Sequence, residues 1–421
     1  MTKFSSQKEG FNMYTRNIFP TLQRRLKTMP VMLIVGPRQC GKTTLSKVIG
    51  HELGMGYISC DNIATLASIQ FDPAGFLNNQ AKPLIIDEAQ RAPEIFLPIK
   101  VDVDDNRKPG RYLLTGSANP LLVPKLGDGL TGRMGVCNMW PLSQGEIRGV
   151  KESFLKILFG NEQWKADYPT LSRNEIIEIL MKGGFPNVVA AESSEERREW
   201  CNDYLFNALQ KDINDLSKIE HFSQMPSLLY GIANRIGSPL NVNSLTDLIR
   251  TSEATIRRYI ELLKSLFLLY PLPSWSRNID KKLAKTSKIY FSDTALLLQS
   301  MDFNEERLLK LPHVLGQVFE NFVVMELVKQ ASWNSEPIKL YHYRTHDQKE
   351  VDIVLESSSG KVIGIEIKLS SIVRKDDLKG LMSLKEYCGT DFHKGIIFYS
   401  GDKTLPFGDS FTALPIAALW E

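Results

Sequence analysis

Residues 36–43 read Gly36-Pro-Arg-Gln-Cys-Gly41-Lys42-Thr43, which is the spacing G-x-x-x-x-G-K-[ST]. Glycines let backbone N–H groups close on phosphate oxygens, the lysine reaches the β- and γ-phosphates, and the hydroxyl ligates magnesium. The run therefore predicts an ATP site built from Gly36, Pro37, Arg38, Gln39, Cys40, Gly41, Lys42, Thr43 and Thr44, with Mg2+ as companion. Hydrolysis also needs carboxylates, and Pro83-Leu-Ile-Ile-Asp87-Glu88 ends an apolar run on two of them. Asp87 is expected to hold magnesium through water, and Glu88 to polarise the attacking water. Leu114-Thr115-Gly116-Ser117 closes the next apolar run, where Thr115 or Ser117 would orient that water; an ordinary turn is the competing reading. Arg133 is a candidate phosphate contact, for its own nucleotide or a neighbour's, against the plainer reading of a surface arginine.

A second constellation follows near the C-terminus. Glu350-Val-Asp352-Ile-Val-Leu355 and Val362-Ile-Gly-Ile-Glu366-Ile-Lys368-Leu369 alternate polar and apolar residues about the turn Glu356-Ser-Ser-Ser-Gly-Lys361. A turn centred on Ser359 puts Val351, Ile353 and Leu355 on one face with Ile363, Ile365, Ile367 and Leu369. On the other face Asp352 lies across from Glu366, with Lys368 two residues further on. Facing carboxylates repel unless a cation bridges them, and magnesium takes oxygens from one or two carboxylates plus substrate phosphate. Asp352 and Glu366 are thus candidate metal ligands and Lys368 a candidate stabiliser of phosphate charge. Glu320 has Gly316, Val323, Val324 and Leu327 around it at helical spacing, so it is expected to be partly buried and to complete the set. Such a set does metal-dependent phosphodiester cleavage. The alternative pairs Lys368 across the ladder with Glu350 on a solvated face. His342 and His346 lie four apart in a strand-and-turn segment, where that spacing makes no metal face.

The elements that must position these groups fall into four blocks. Over 1–150, apolar runs beginning at Val31, Tyr57, Leu84, Arg111 and Met134 alternate with helical stretches, which indicates a parallel sheet covered on both faces. Residues 151–238 read as a helical region interrupted by Gly183-Gly184-Phe185-Pro186, and 239–300 as helix, turn, helix and an extended tail. Thr251 and Ser252 stand where a helix cap is wanted, ahead of Ile256, Ile260, Leu263 and Phe267. Nine Lys/Arg against four acids over 240–290 make this part of the third block the basic patch suited to DNA, with protein packing as the other use of such a module. A long apolar helix, His313 to Gln330, and further strands make 301–421 a second α/β unit.

Length and composition bound the rest. The 421 residues suit two to four domains, and 43% hydrophobic with 24% charged residues excludes a disordered chain. A net charge of +3 leaves nucleic-acid affinity to local patches. Five scattered cysteines without a C-x-x-C pair exclude a disulfide framework or zinc cluster and fit a cytoplasmic location. No apolar run approaches the roughly 20 residues of a membrane span, and Met1 to Arg16 lacks a signal-peptide core.

The phosphate loop, Leu84-Ile-Ile-Asp-Glu-Ala-Gln90, Leu114-Thr-Gly-Ser117, Leu130-Thr-Gly-Arg133, Gly183-Gly-Phe-Pro186, Lys288-Ile-Tyr-Phe-Ser-Asp293, Glu350-Val-Asp352 and Glu366-Ile-Lys368 occur in one order. That set resembles a bacterial and archaeal family of AAA-type ATPases with a C-terminal restriction-endonuclease-like domain. The resemblance implies an AAA-type P-loop core, a helical region with a winged helix and a PD-(D/E)-x-K-like domain, with ATP and Mg2+ as ligands. Having Gln39-Cys40 before Gly41, the loop lacks the extra middle glycine common in AAA proteins. The expectation is an ATP-hydrolysing switch coupled to a DNA-interacting, metal-dependent nuclease domain, in a homo-oligomer or with a protein partner. The alternative is an ATP-dependent regulator whose nuclease-like domain only binds DNA or a partner. A nucleotide kinase fits poorly, because Asp87-Glu88 and the long C-terminal extension match no small-substrate lid.

Overall fold

Five apolar runs become the strands β1 (Val31–Val35), β2 (Gly56–Ser59), β3 (Leu84–Asp87), β4 (Tyr112–Gly116) and β5 (Met134–Asn138) of an all-parallel sheet ordered β2-β3-β4-β1-β5. The computed structural model describes residues 14–117, 130–160, 162–212, 224–278, 286–345 and 347–420. Every residue of β1, β3 and β4 is buried, as strands covered on both faces require. Helices α1 (Phe19–Leu26) and α2 (Lys42–Leu53) supply Leu22, Leu26, Leu45 and Ile49 to one face. The strand β4 lies between β1 and β3, so the loop after β1 and the acids after β3 flank its carboxyl end, where ligands bind in open parallel sheets.

The third block folds as α3 (Asn243–Ile249), α4 (Glu253–Ser265) and an antiparallel pair, β6 (Leu269–Leu272) with β7 (Lys288–Phe291). The Ser252 hydroxyl caps α4 by accepting from the Thr255 N–H at 3.2 Å, and Ile256, Ile260 and Leu263 are buried as expected. Of the basic residues expected to form a patch, one is buried and three pair with acids. Lys288 is buried; Arg257 pairs with Glu253 at 2.5 Å, Lys264 with Glu261 at 2.7 Å, and Arg277 with Asp391. Asp280, Lys281, Lys282, Lys285 and His346 lie outside the described residues.

The last block consists of α5 (Pro312–Trp333), β8 (Ile338–Arg344), β9 (Glu350–Ser357), β10 (Val362–Ile367), α6 (Lys379–Cys388), β11 (Phe392–Tyr399), β12 (Leu405–Phe407) and β13 (Phe411–Pro415). Its six-stranded sheet, ordered β12-β13-β11-β10-β9-β8, is mixed: β8, β9 and β10 run antiparallel, and β11 runs parallel to β10. Every residue of α5 from Asn321 to Gln330 is buried, and most of them are apolar, as a helix enclosed on all sides requires. Its Phe319, Val323 and Leu327 belong to one continuous core with Leu33 and Leu114 of the first sheet and Ile353 and Ile365 of the second. No described helix is long and apolar enough to cross a membrane.

The strip from Trp140 to Glu152 joins these parts through buried polar groups. Buried Arg16 donates from Nε to Glu146 at 3.1 Å, and its other nitrogens donate to the Cys40 and Trp140 carbonyls at 2.8 and 2.6 Å. The Gln144 N–H donates to Glu326 of α5 at 2.8 Å, Lys329 donates to the Leu142 carbonyl at 2.9 Å, and the Leu142 N–H reaches the Gly184 carbonyl at 2.7 Å. Asp293 caps the next helix, Thr294–Ser300, and also accepts the Gly184 N–H at 2.7 Å, which explains why Gly183-Gly184 and Asp293 occur in one set. Burial, then the charge of Glu326, pushes the Glu152 carboxyl from its ordinary 4.5 up to about 8. The folded chain keeps that proton over a window in which the unfolded chain has released it, so this group's contribution to stability falls as pH rises from about 4.5 to 8. Glu152→Gln is expected to make the decline in melting temperature between pH 5 and 8 shallower than in the wild type; an unchanged slope would show that Glu152 is ionised throughout.

Candidate functional site

The phosphate loop has its shape before any nucleotide arrives. Only glycine fits at 36, where a Cβ would fall 1.9 Å from the Met139 carbonyl oxygen, and Gly41 opens α2 at φ +100°. Lys42 donates to the Gly36 and Pro37 carbonyls at 3.0 and 2.7 Å while Arg16 holds that of Cys40. These cations occupy loop carbonyls, and the α2 N-terminus adds a favourable dipole for an anion. Thr44 is exposed on the first turn of α2, and Gln39 accepts from Asn187 at 3.3 Å, so the segment after Gly183-Gly184 reaches the loop.

Asp87 is buried beside the loop. Thr43 lies 3.0 Å from both of its oxygens, Thr115 donates to Oδ1 at 2.6 Å, and Tyr57 of the edge strand donates to Oδ2 at 2.9 Å. Thr43, which would ligate magnesium, and Asp87, which would hold the ion through water, are thus in contact beside the loop. Glu88 adopts φ +52°, an unusual conformation for a residue other than glycine and one that concentrates at functional sites. Its N–H donates to Thr115 at 2.9 Å, and its carboxylate accepts from Ser117 at 3.1 Å and from Gln90. Thr115 and Ser117 therefore hold the two acids. Tyr57 and Gln90 were not foreseen; Tyr57 begins one of the apolar runs, where a tyrosine reads as an ordinary strand residue.

Arg133 is elsewhere. Its carbonyl accepts from Val31, at the start of β1, and its guanidinium grips both oxygens of Asp104. The five residues of β1 span about 16 Å, so Arg133 sits at the end of the sheet away from the loop and cannot touch its own nucleotide.

The second constellation assembles differently from the expectation. Strand β9 pairs with β10 from Glu356–Val362 to Ile353–Ile365, the register that a turn at Ser359 requires. Against β8, however, β9 carries an extra residue between Val354 and Val351, which face Tyr341 and Tyr343. This bulge moves Val351 away from the layer of Ile353 and Leu355 and into the one under α6, correcting the strict alternation. Asp352, at the bulge, accepts the Ile367 N–H at 2.9 Å. Glu366 is buried; burial and then Asp352 raise its pKa well above the carboxylate range, and Lys368 approaches it at 3.4 Å. Gly380 lets α6 close over this pair, since a Cβ there would meet the Glu350 carbonyl at 1.9 Å and Glu366 at 2.7 Å.

The missing member is Lys288. Only 1% exposed, it pairs with Glu350 at 2.7 Å and Glu320 at 3.2 Å, and Tyr290 donates to Glu320 at 2.6 Å. Burial opposes the Lys288 charge, but the carboxylates of Glu320, Asp352 and Glu350 more than reverse this and raise its pKa. Burial, then the charge of Asp352, pushes Glu320 up to about 7. Glu350 thus pairs with Lys288, where the alternative reading paired it with Lys368, and Glu320 answers to an ammonium and a phenol. Among the described residues no three His, Cys, Asp or Glu side chains converge to hold a metal, so Glu320 does not complete a ligand set with Asp352 and Glu366. His342 is buried, with Nε2 3.2 Å from the Thr286 carbonyl. Lys288→Met leaves two carboxylates without their cation and is expected to cost about 3–5 kcal/mol of stability. Lys368→Met, at a side chain 34% exposed, should cost well under half as much; denaturant titration of both variants checks the order.

Comparison with known proteins agrees with the first half of this picture. Residues 28–148 match the family model of an AAA domain, while 173–307 and 315–419 match two domains of unknown function, DUF8612 and DUF4143. Over 402 residues the chain is 28% identical to an uncharacterized protein of Mycobacterium tuberculosis, covering 95% of this chain and 83% of that one. An uncharacterized protein of Methanocaldococcus jannaschii is 22% identical over 320 residues, 73% of this chain and 67% of that one. Among solved structures, a Walker-type ATPase of Pyrococcus abyssi aligns over 68% of this chain and 96% of its own, with 15% identity and a TM-score of 0.41. The phosphate loop, the paired acids and the whole parallel sheet fall inside residues 28–148, the part of the chain that matches the AAA domain model.

Proposed function

We propose that the protein is a magnesium-dependent ATPase whose nucleotide state is coupled to a C-terminal phosphodiester-binding domain acting on DNA. The convergence of Thr43, Thr115 and Glu88 on the ends of β3 and β4 around Asp87 carries the first half. Magnesium, when bound, would neutralise charge on the β- and γ-phosphates. Thr43 and Asp87 would hold it, Lys42 would contact the γ-phosphate, and Glu88 would take a proton from the attacking water. Under this reading the chain divides at about 150, 238 and 300, and α3, α4 and the β6–β7 hairpin form a winged helix.

Support for the second half is the order α5, antiparallel β8-β9-β10, α6 and parallel β11, with Asp352 beside Glu366-x-Lys368, as expected of a restriction-endonuclease-like domain. Two carboxylates suit one magnesium completed by substrate oxygens. A second reading, in which this domain binds DNA or a protein partner without cleaving, is favoured by Lys288, which neutralises Glu320 and Glu350. Homo-oligomerisation belongs to either reading.

Lys42→Ala is expected to abolish ATP turnover, and Glu88→Gln to lower it about 10²- to 10⁴-fold while a fluorescent ATP analogue still binds. Equal turnover in wild type and Glu88→Gln would remove Glu88 from the reaction. Cleavage of single-stranded, duplex or branched DNA with Mn2+ or Mg2+, lost in Glu366→Ala, selects the nuclease reading. Absent cleavage, with DNA retention unchanged in Asp352→Ala/Glu366→Ala, selects the binding reading.

A further inference from the structure

Asp87 takes its donors in an ordered way. Thr115 serves Oδ1 at 2.6 Å, Tyr57 serves Oδ2 at 2.9 Å, and the single Thr43 proton is shared between the two oxygens at 3.0 Å each. With Thr115 and Tyr57 each holding one oxygen, the carboxylate is fixed in rotation, and Thr43 is left to face an incoming ion. Thr115 and Tyr57 approach from different strands, β4 and the edge strand β2. The Lys47 ammonium lies over the Tyr57 ring, 4.7 Å from its centroid, which steadies the ring from α2. Tyr57 is also 39% exposed on the strand that ends the sheet among the described residues, so its hydroxyl is not needed to fill a core.

We infer that Tyr57 is a positioning residue of the ATP site: its hydroxyl orients Asp87 toward magnesium, and its loss weakens the ion while sparing the nucleotide. The inference rests on the ATPase reading above and adds a residue from outside the phosphate loop and the acid pair. Groups that hold a ligating carboxylate typically change metal affinity 10- to 100-fold when removed.

Tyr57→Phe keeps the ring and the Lys47 contact and removes only the hydroxyl. The Mg2+ concentration for half-maximal ATP turnover is expected to rise roughly tenfold or more, with lost turnover recovered as Mg2+ is raised. Binding of a fluorescent ATP analogue in EDTA should stay within about twofold of wild type, because the phosphate loop is untouched. A Mg2+ titration that superimposes on wild type overturns the inference. So does an equal loss of analogue affinity with and without Mg2+, which would mark Tyr57 as a merely structural residue. A wild-type protein that shows neither Mg2+-dependent turnover nor analogue binding overturns the ATPase reading itself, and this inference with it.

Discussion

Glu146 is buried in the strip after the parallel sheet, and the chain is arranged to satisfy it. Its carboxylate takes Arg16 at 3.1 Å, the Asn17 N–H at 2.7 Å and the Ser143 N–H at 3.1 Å. A buried ion pair adds little net stability against a packed apolar pair, but breaking it is costly, so its value lies in permitting one arrangement. Arg16, fixed by Glu146, is thereby aimed at the Cys40 carbonyl, and the phosphate loop inherits its position from a residue more than a hundred positions away. The same strip binds Glu326 and Lys329 of α5 and the Gly184 carbonyl.

The chemistry of the donors separates the two carboxylate sites. Asp87 is held by three hydroxyls, which order it without cancelling its charge, and so it remains attractive to a divalent ion. Glu320 and Glu350 are held by an ammonium, which cancels charge and competes with a metal for the same oxygens. Asp352 and Glu366 stand between these cases: a backbone N–H orders one, and the partly exposed Lys368 approaches the other. Neutral donors prepare a carboxylate for a metal; a buried cation substitutes for one.

Much of this was legible in the residues. Strands buried on both faces read as continuous apolar runs, so the parallel sheet and the place of Asp87-Glu88 at a strand end followed from composition alone. Register across the β9–β10 turn followed from alternation, but the bulge did not, because one extra residue leaves the hydrophobic count intact while turning Val351 to the other layer. The end of β5 that carries Arg133 became plain only from strand pairing, since a motif after a loop does not say which rim of the sheet it reaches. A count of charges over the third block does not show which of them are buried or paired. Lys288 stood among Ile289, Tyr290 and Phe291, and that apolar setting was the available sign that it belonged inside.

Helix α5 explains why four successive blocks share one core. A surface helix needs one apolar stripe, but α5 is buried all round from Asn321 to Gln330, within the one core that the first sheet, the helical region and the second sheet share. Its polar exceptions are placed accordingly: Glu320 faces Lys288 and Tyr290, and Glu326 with Lys329 faces the strip that fixes Arg16. Six residues of helix separate Glu320 from Glu326, a rise of about 9 Å. The helix thus spans the distance between the strip that sets the phosphate loop and the charge cluster beside Asp352.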